Sequence, residues 1–114
     1  MLRFYGLKTC DTCRMALKAL DAKGVDIAFH DVRADGVTKK QIEKWAKAVG
    51  WEALLNKSST TWRALPEAEK ADVGKAQAIA LLLKHPTAIK RPVIERGPTE
   101  VHVGWSDAVQ KAVL

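Results

Sequence analysis

Charge of one sign is nowhere gathered in this chain. Nineteen Lys and Arg stand against 13 Asp and Glu, a net of +6, yet no block of five or six like charges occurs between Arg3 and Lys111. The surplus therefore reads as a solvated surface rather than a nucleic-acid footprint. Aromatic residues make up only 6% of the chain, too few for a base-stacking platform. Long apolar runs are missing as well. The longest, Ala78–Leu83, is far too short to cross a bilayer, and Met1–Gly6, broken by Arg3, does not read as a secretory signal. A soluble, cytoplasmic protein is expected. The three histidines, His30, His85 and His102, form no short paired motif, which leaves a Cys2His2 metal site without its usual spacing. No metal site is expected. The 114 residues suit one domain with one core.

Cysteine is scarce, and its placement is the informative feature. There are two, Cys10 and Cys13, at the point where a strand-like run gives way to a helix-like one. Two thiols one helical turn apart at such a junction can attack and resolve a disulfide. In a cytoplasmic chain a C-x-x-C is more often catalytic or metal-binding than a permanent staple. Spacing alone leaves metal binding and plain core packing open beside redox chemistry, since free cysteine is commonly buried.

Along the chain, Leu2–Leu7 alternates like a strand, and Cys13, Ala16, Leu17 and Leu20 recur at helical spacing until Gly24. Ile27–His30 reads as a second strand, so the first thirty residues form a β-α-β unit with parallel pairing. Thr38 and Gln41 spell a capping box ahead of Ile42, Trp45, Ala46 and Val49, and Gly50 closes that helix. Ala53–Leu55 suggests a short helix, and Asn56–Thr61 a polar loop that leads to Trp62. Pro66 is expected at the first position of a helix over Glu67–Ala71, and Ala76, Ile79, Ala80 and Leu83 mark a longer helix that Pro86 ends. Pro92–Glu95 and Val101–Val103 flank Gly97-Pro98 as an antiparallel hairpin, and Ser106 caps a last helix. The expected fold is α/β and thioredoxin-like: β-α-β, a helical insertion over about 38–85, then β-β-α, as one domain over 1–114.

A free cysteine is almost entirely thiol at pH 7, so a nucleophile needs help. Cys10, at the predicted helix start, has unpaired N–H groups and the helix dipole, worth only about 0.3–1 kcal/mol at an exposed end. A cation is needed too, and Lys8 and Arg14 are the local candidates, with Asp11 acting against them. Cys13, one turn in on the apolar stripe, suits the resolving role.

The segments Tyr5–Arg14, Gly50–Asn56 and Thr61–Arg63, together with His85-Pro86, Ile89–Ile94 and Val103–Ser106, resemble the arsenate reductase/Spx family, in the same order and over essentially the whole chain. The resemblance implies a thioredoxin-like fold with a helical insertion. It aligns the family's reactive cysteine with Cys10 and the arginine of its Arg-Pro motif with Arg91, whose five fixed donors can hold a thiolate or an oxyanion. Pro92 resembles the proline often found cis beside such sites. The implied activity is a thiol-dependent reductase with catalytic Cys10, Cys13 and Arg91. Lys8, Thr9, Asp11, Thr12, Arg14, Arg63 and Pro92 are its expected substrate-binding residues. No bound cofactor is implied; glutathione, or thioredoxin or glutaredoxin, would be the reductant and partner.

Arsenate-reducing members carry a histidine where this chain has Gly6, and two further arginines at positions that fall on Glu52 and Gly104. An oxyanion facing Glu52 in place of an arginine is poorly held unless Arg63 or Lys90 substitutes. The chain thus resembles the glutathione-linked branch more than the dedicated arsenate enzymes. A non-enzymatic alternative is an Spx-like redox sensor that binds RNA polymerase, which the lack of a basic extension after Leu114 disfavours.

Overall fold

The structure, a computed structural model, describes residues 1–71 and 73–114. Contacts divide the chain into two compact units, one made of Met1–Asp35 with Arg91–Leu114 and the other of Gly36–Lys90.

The first unit carries the sheet. Strand β1 (Leu2–Gly6) leads through a short loop into α1 (Asp11–Ala22), and Gly24, at φ 69°, reverses the chain toward β2 (Ile27–Asp31). That positive φ is available to glycine at little cost, which is why the helix stops there. Strands β3 (Val93–Arg96) and β4 (Glu100–Val103) form the hairpin, and α7 (Asp107–Val113) ends the chain. The strand order is β2-β1-β3-β4, with β1 parallel to β2 and antiparallel to β3, and β3 antiparallel to β4. This is the thioredoxin-like α/β arrangement, a small mixed sheet with flanking helices.

Alternation along β1 and β3 sorts side chains onto two faces. Leu2, Phe4 and Ile94 meet Cys13, Ala16 and Leu20 of α1 and Val109 and Val113 of α7 in one buried cluster. Each large side chain buried this way contributes about 1.5–3 kcal/mol. The opposite face holds a polar arrangement. Arg3 pairs with Glu95 in the β1–β3 register, and its Nε donates to Glu95 Oε1 at 2.7 Å while the Tyr5 hydroxyl donates to the same oxygen at 3.1 Å. The Glu95 side chain is only 4% exposed, so its charge stays buried because a guanidinium and a phenol answer it.

The second unit is helical: α2 (Lys39–Val49), α3 (Trp51–Leu54), α4 (Thr60–Ala64), α5 (Glu67–Lys70), α6 (Lys75–Lys84) and a 3₁₀ turn over Pro86–Ala88. The Thr38 and Gln41 capping box is formed in full, and Ile42, Trp45 and Ala46 face inward. Helix α2 packs on α3 and α6, and Leu55 bridges to Ile89 in antiparallel fashion.

Two expectations need correcting. The loop expected over Asn56–Thr61 ends at Ser59, whose hydroxyl accepts from the Trp62 N–H and starts α4; Thr60 and Thr61 are helical because that cap comes before them. Pro66 is the residue before α5 rather than its first turn.

Candidate functional site

The loop from β1 to α1 folds back on itself, with the Cys10 N–H donating to the Leu7 carbonyl at 3.2 Å. That leaves Cys10 as the residue that caps α1, in extended conformation (φ −83°, ψ 124°). Its thiol stands where the helix presents its unpaired N–H groups. Both cysteines are reduced, Cys10 partly exposed and Cys13 buried.

The two sulfurs are pushed in opposite directions. Partial burial by itself would raise Cys10. The Cys13 backbone N–H, the Cys13 thiol, the Arg91 guanidinium and the Thr12 backbone N–H outweigh it and hold Cys10 below its ordinary value of 9.0. Burial dominates at Cys13; the Leu7 backbone N–H opposes it, the neighbouring Cys10 reinforces it, and the thiol is pushed up to about 11. One sulfur is thus prepared to ionise and the other to keep its proton, a division that suits attack by the first and later resolution by the second.

Among the influences on Cys10, Arg91 is the cation. The two local candidates are engaged elsewhere. Arg14 donates from Nε to the Lys8 carbonyl at 2.8 Å and lies 3.7 Å from Asp11, and Lys8 places Nζ over the Phe29 ring, 5.5 Å from its centre. Thr9, Asp11 and Thr12 are exposed around the helix start. The Arg91–Pro92 peptide bond is cis. Pro92 is buried, and its carbonyl accepts from the Gly104 N–H at 2.8 Å. Gly104 is itself at φ 83°, a conformation that suits glycine and would strain an arginine there. Arg63 is exposed on α4 and Glu52 on α3, both in the second unit. Cys10, Cys13, Arg91 and Pro92 belong to the first unit together with Lys8–Arg14.

One contact is not legible in the sequence. Gly6, at the end of β1, lies so close to the second thiol that a β-carbon built on it would stand 2.6 Å from Cys13 Sγ. Its signal was in view, a glycine closing an otherwise apolar strand ahead of C-x-x-C, but glycine in a strand announces close approach without naming what approaches.

Among the described residues no group of three or more His, Cys, Asp or Glu is arranged to hold a metal, and no helix is long and apolar enough to cross a membrane.

Comparison with known proteins follows the same lines. An uncharacterized protein of Haemophilus influenzae is 42% identical over 94 residues, 82% of each chain. The solved structure of a YffB protein is 40% identical, covers 100% of this chain and 99% of its own, and superposes with a TM-score of 0.92. An arsenate reductase (ArsC) related protein from Brucella melitensis is 39% identical over 97% of this chain and 92% of its own, with a TM-score of 0.77. The family model that matches spans residues 5–113, and with it the chain belongs to the ArsC family.

Proposed function

We propose that the protein is a thiol-dependent reductase in which Cys10 is the nucleophile and Cys13 or glutathione completes the turnover. What carries this reading is the opposed ionisation of two neighbouring thiols, one partly exposed and lowered by the Cys13 amide and thiol, then Arg91 and the Thr12 amide, the other buried and raised. The helical stretch over about 38–85 is read as an insertion into one domain over 1–114, and the protein as acting in the cytoplasm, where thiol reductants are available.

The steps balance as ordinary thiol–disulfide exchange. Cys10 thiolate attacks a sulfur of an oxidised substrate; the substrate S–S bond breaks, and its departing thiolate takes a proton from solvent. A Cys10–substrate disulfide remains. Forming it removes the negative charge on Cys10, one of the influences that hold Cys13 protonated, so Cys13 loses its proton more readily once it is needed. Its thiolate then attacks Cys10, releases the second substrate thiolate and leaves Cys10–Cys13 oxidised, to be reduced by two glutathiones or by a dithiol protein such as thioredoxin or glutaredoxin. Glutathione attack on the mixed intermediate is the parallel route.

Arsenate is the lesser reading. The Brucella relative is an arsenate reductase (ArsC) related protein, but at the two positions where the resemblance implies oxyanion-holding arginines this chain has a carboxylate, Glu52, and a glycine at positive φ, Gly104. The test offers the reduced protein glutathione, thioredoxin or glutaredoxin as electron donor, with a disulfide or arsenate as acceptor. Cys10→Ser is expected to abolish disulfide reduction, and Cys13→Ser to retain part of the glutathione-supported turnover. Undiminished activity in Cys10→Ser, or redox-dependent binding to RNA polymerase with no turnover at all, would overturn the proposal.

A further inference from the structure

We propose that Gly6 is a positioning residue for the second thiol: the missing side chain at position six is the seat of the Cys13 sulfur, and it decides whether Cys13 can close onto Cys10. The inference rests on the reading of Cys13 as a resolving thiol.

Four glycines, Gly24, Gly36, Gly50 and Gly97, have positive φ and nothing within 4 Å of where a β-carbon would stand; they answer to the backbone. Gly6 is not among the positive-φ residues, and its requirement is one of space. A β-carbon there would lie 2.6 Å from Cys13 Sγ and 3.1 Å from the Phe4 ring, with Cys13 Cβ at an ordinary 3.6 Å. The first distance is closer than atoms of that size pack. Cys13 is fully buried and sits one turn into α1, so the sulfur cannot yield by swinging into solvent. The Leu7 backbone N–H, one residue on from Gly6, also acts on this sulfur. The end of β1 therefore seats the thiol on the side away from solvent and sets the direction from which it meets Cys10. In the step so controlled, Cys13 thiolate attacks Cys10, the Cys10–substrate bond breaks as the Cys10–Cys13 bond forms, the Cys13 proton goes to solvent, and the leaving thiolate is reprotonated.

The test equilibrates wild type and Gly6→Ala with defined mixtures of reduced and oxidised glutathione, then reads the Cys10–Cys13 disulfide by mass after alkylation. Gly6→Ala is expected to lower the equilibrium constant for closing by at least about tenfold, since overpacking of this kind displaces the groups involved. Unfolding by urea forms the second arm. Any stability lost in Gly6→Ala should be largely recovered in Gly6→Ala/Cys13→Ala, measured against Cys13→Ala alone, because the sulfur that clashes is gone. If Gly6→Ala does not fold at all, this second arm decides: a folded double variant supports the seat, and an unfolded one overturns it by moving the clash to Phe4. Wild-type closing matched by Gly6→Ala overturns the positioning role and leaves the reductase reading intact. A wild type that never closes the bond removes the resolving role of Cys13, and this proposal with it.

Discussion

The sheet-bearing unit and the helical unit are held by different kinds of contact, and the candidate thiols lie in the first. In the sheet unit the decisive partners are remote in sequence: Arg3 and Tyr5 meet Glu95, and β1 is paired on both sides by strands from the two halves of the chain. In the helical unit several helix starts are fixed by local contacts. Thr38 caps through Gln41, Ser59 through Trp62, and Gly74 is reached back to by Gln77. Local contacts fix single helices, whereas long-range ones can bring groups with different needs to one place. Cys10 and Cys13 come with α1, Arg91 enters from about eighty residues later, and only a fold that pairs the chain's two ends unites them.

The largest expected consequence of that difference is at Arg3. Arg3→Ala removes the guanidinium facing a Glu95 carboxylate that is 4% exposed, while Arg3 itself is 36% exposed. A fully buried pair broken this way costs about 3–5 kcal/mol, and the exposure of Arg3 reduces the expectation to about 2 kcal/mol. Urea unfolding of Arg3→Ala measures it. A loss below about 0.5 kcal/mol, the scale of a surface pair, would show that the sheet unit does not depend on its remote ion pair.

The local counterpart is smaller. Thr38→Ala removes the side-chain oxygen that accepts from the Gln41 N–H at 3.1 Å and frees the reciprocal contact from Gln41 to the Thr38 N–H. Caps of this kind are worth about 1 kcal/mol. Thr38→Ser should keep most of it. Equal losses in the two variants would place the effect in packing of the threonine methyl rather than in the cap, and would blur the contrast between the units.

The same distinction governs what could be read in the sequence. The capping box, the strand-to-helix junction at Cys10, the hairpin about Gly97-Pro98 and the Ser106 cap all depend on neighbours within a few residues, and each is where the pattern places it. Helix α4 was hidden because Ser59 caps from inside a run of Ser and Thr, a composition that also makes turns. The Arg3–Tyr5–Glu95 group and the bridge between Leu55 and Ile89 were invisible, since no periodicity connects residues 92 or 34 positions apart. At the site, the local part was legible from the residues themselves, with Cys10 at the helix start and Cys13 on the buried stripe. Arg91 came only through resemblance to a family, and Gly6 was missed because its partner is decided by how α1 docks on β1.

The smallest change sharpens the contrast within the site itself. Cys10 in the fold ionises below its ordinary 9.0, partly through Arg91. Between that lowered value and 9.0 the unfolded chain binds the extra proton, so this thiol adds stability that is fully present above 9.0 and is lost as pH falls through its folded value. Cys13 has the opposite sign. Its folded value of about 11 means that the native state holds the proton longer, and the stability this thiol contributes disappears as pH rises from about 9 to about 11. Alkylation of Cys10 should therefore follow a titration with its midpoint below 9.0, and Arg91→Met should move that midpoint upward with little change in unfolding at neutral pH. Wild type should lose stability from pH 9 to 11 by a component that Cys13→Ala lacks. An Arg91→Met midpoint that stays with wild type would mean that the amides of Thr12 and Cys13, together with the Cys13 thiol, suffice for the thiolate. The remote arginine would then have to act on substrate rather than on sulfur.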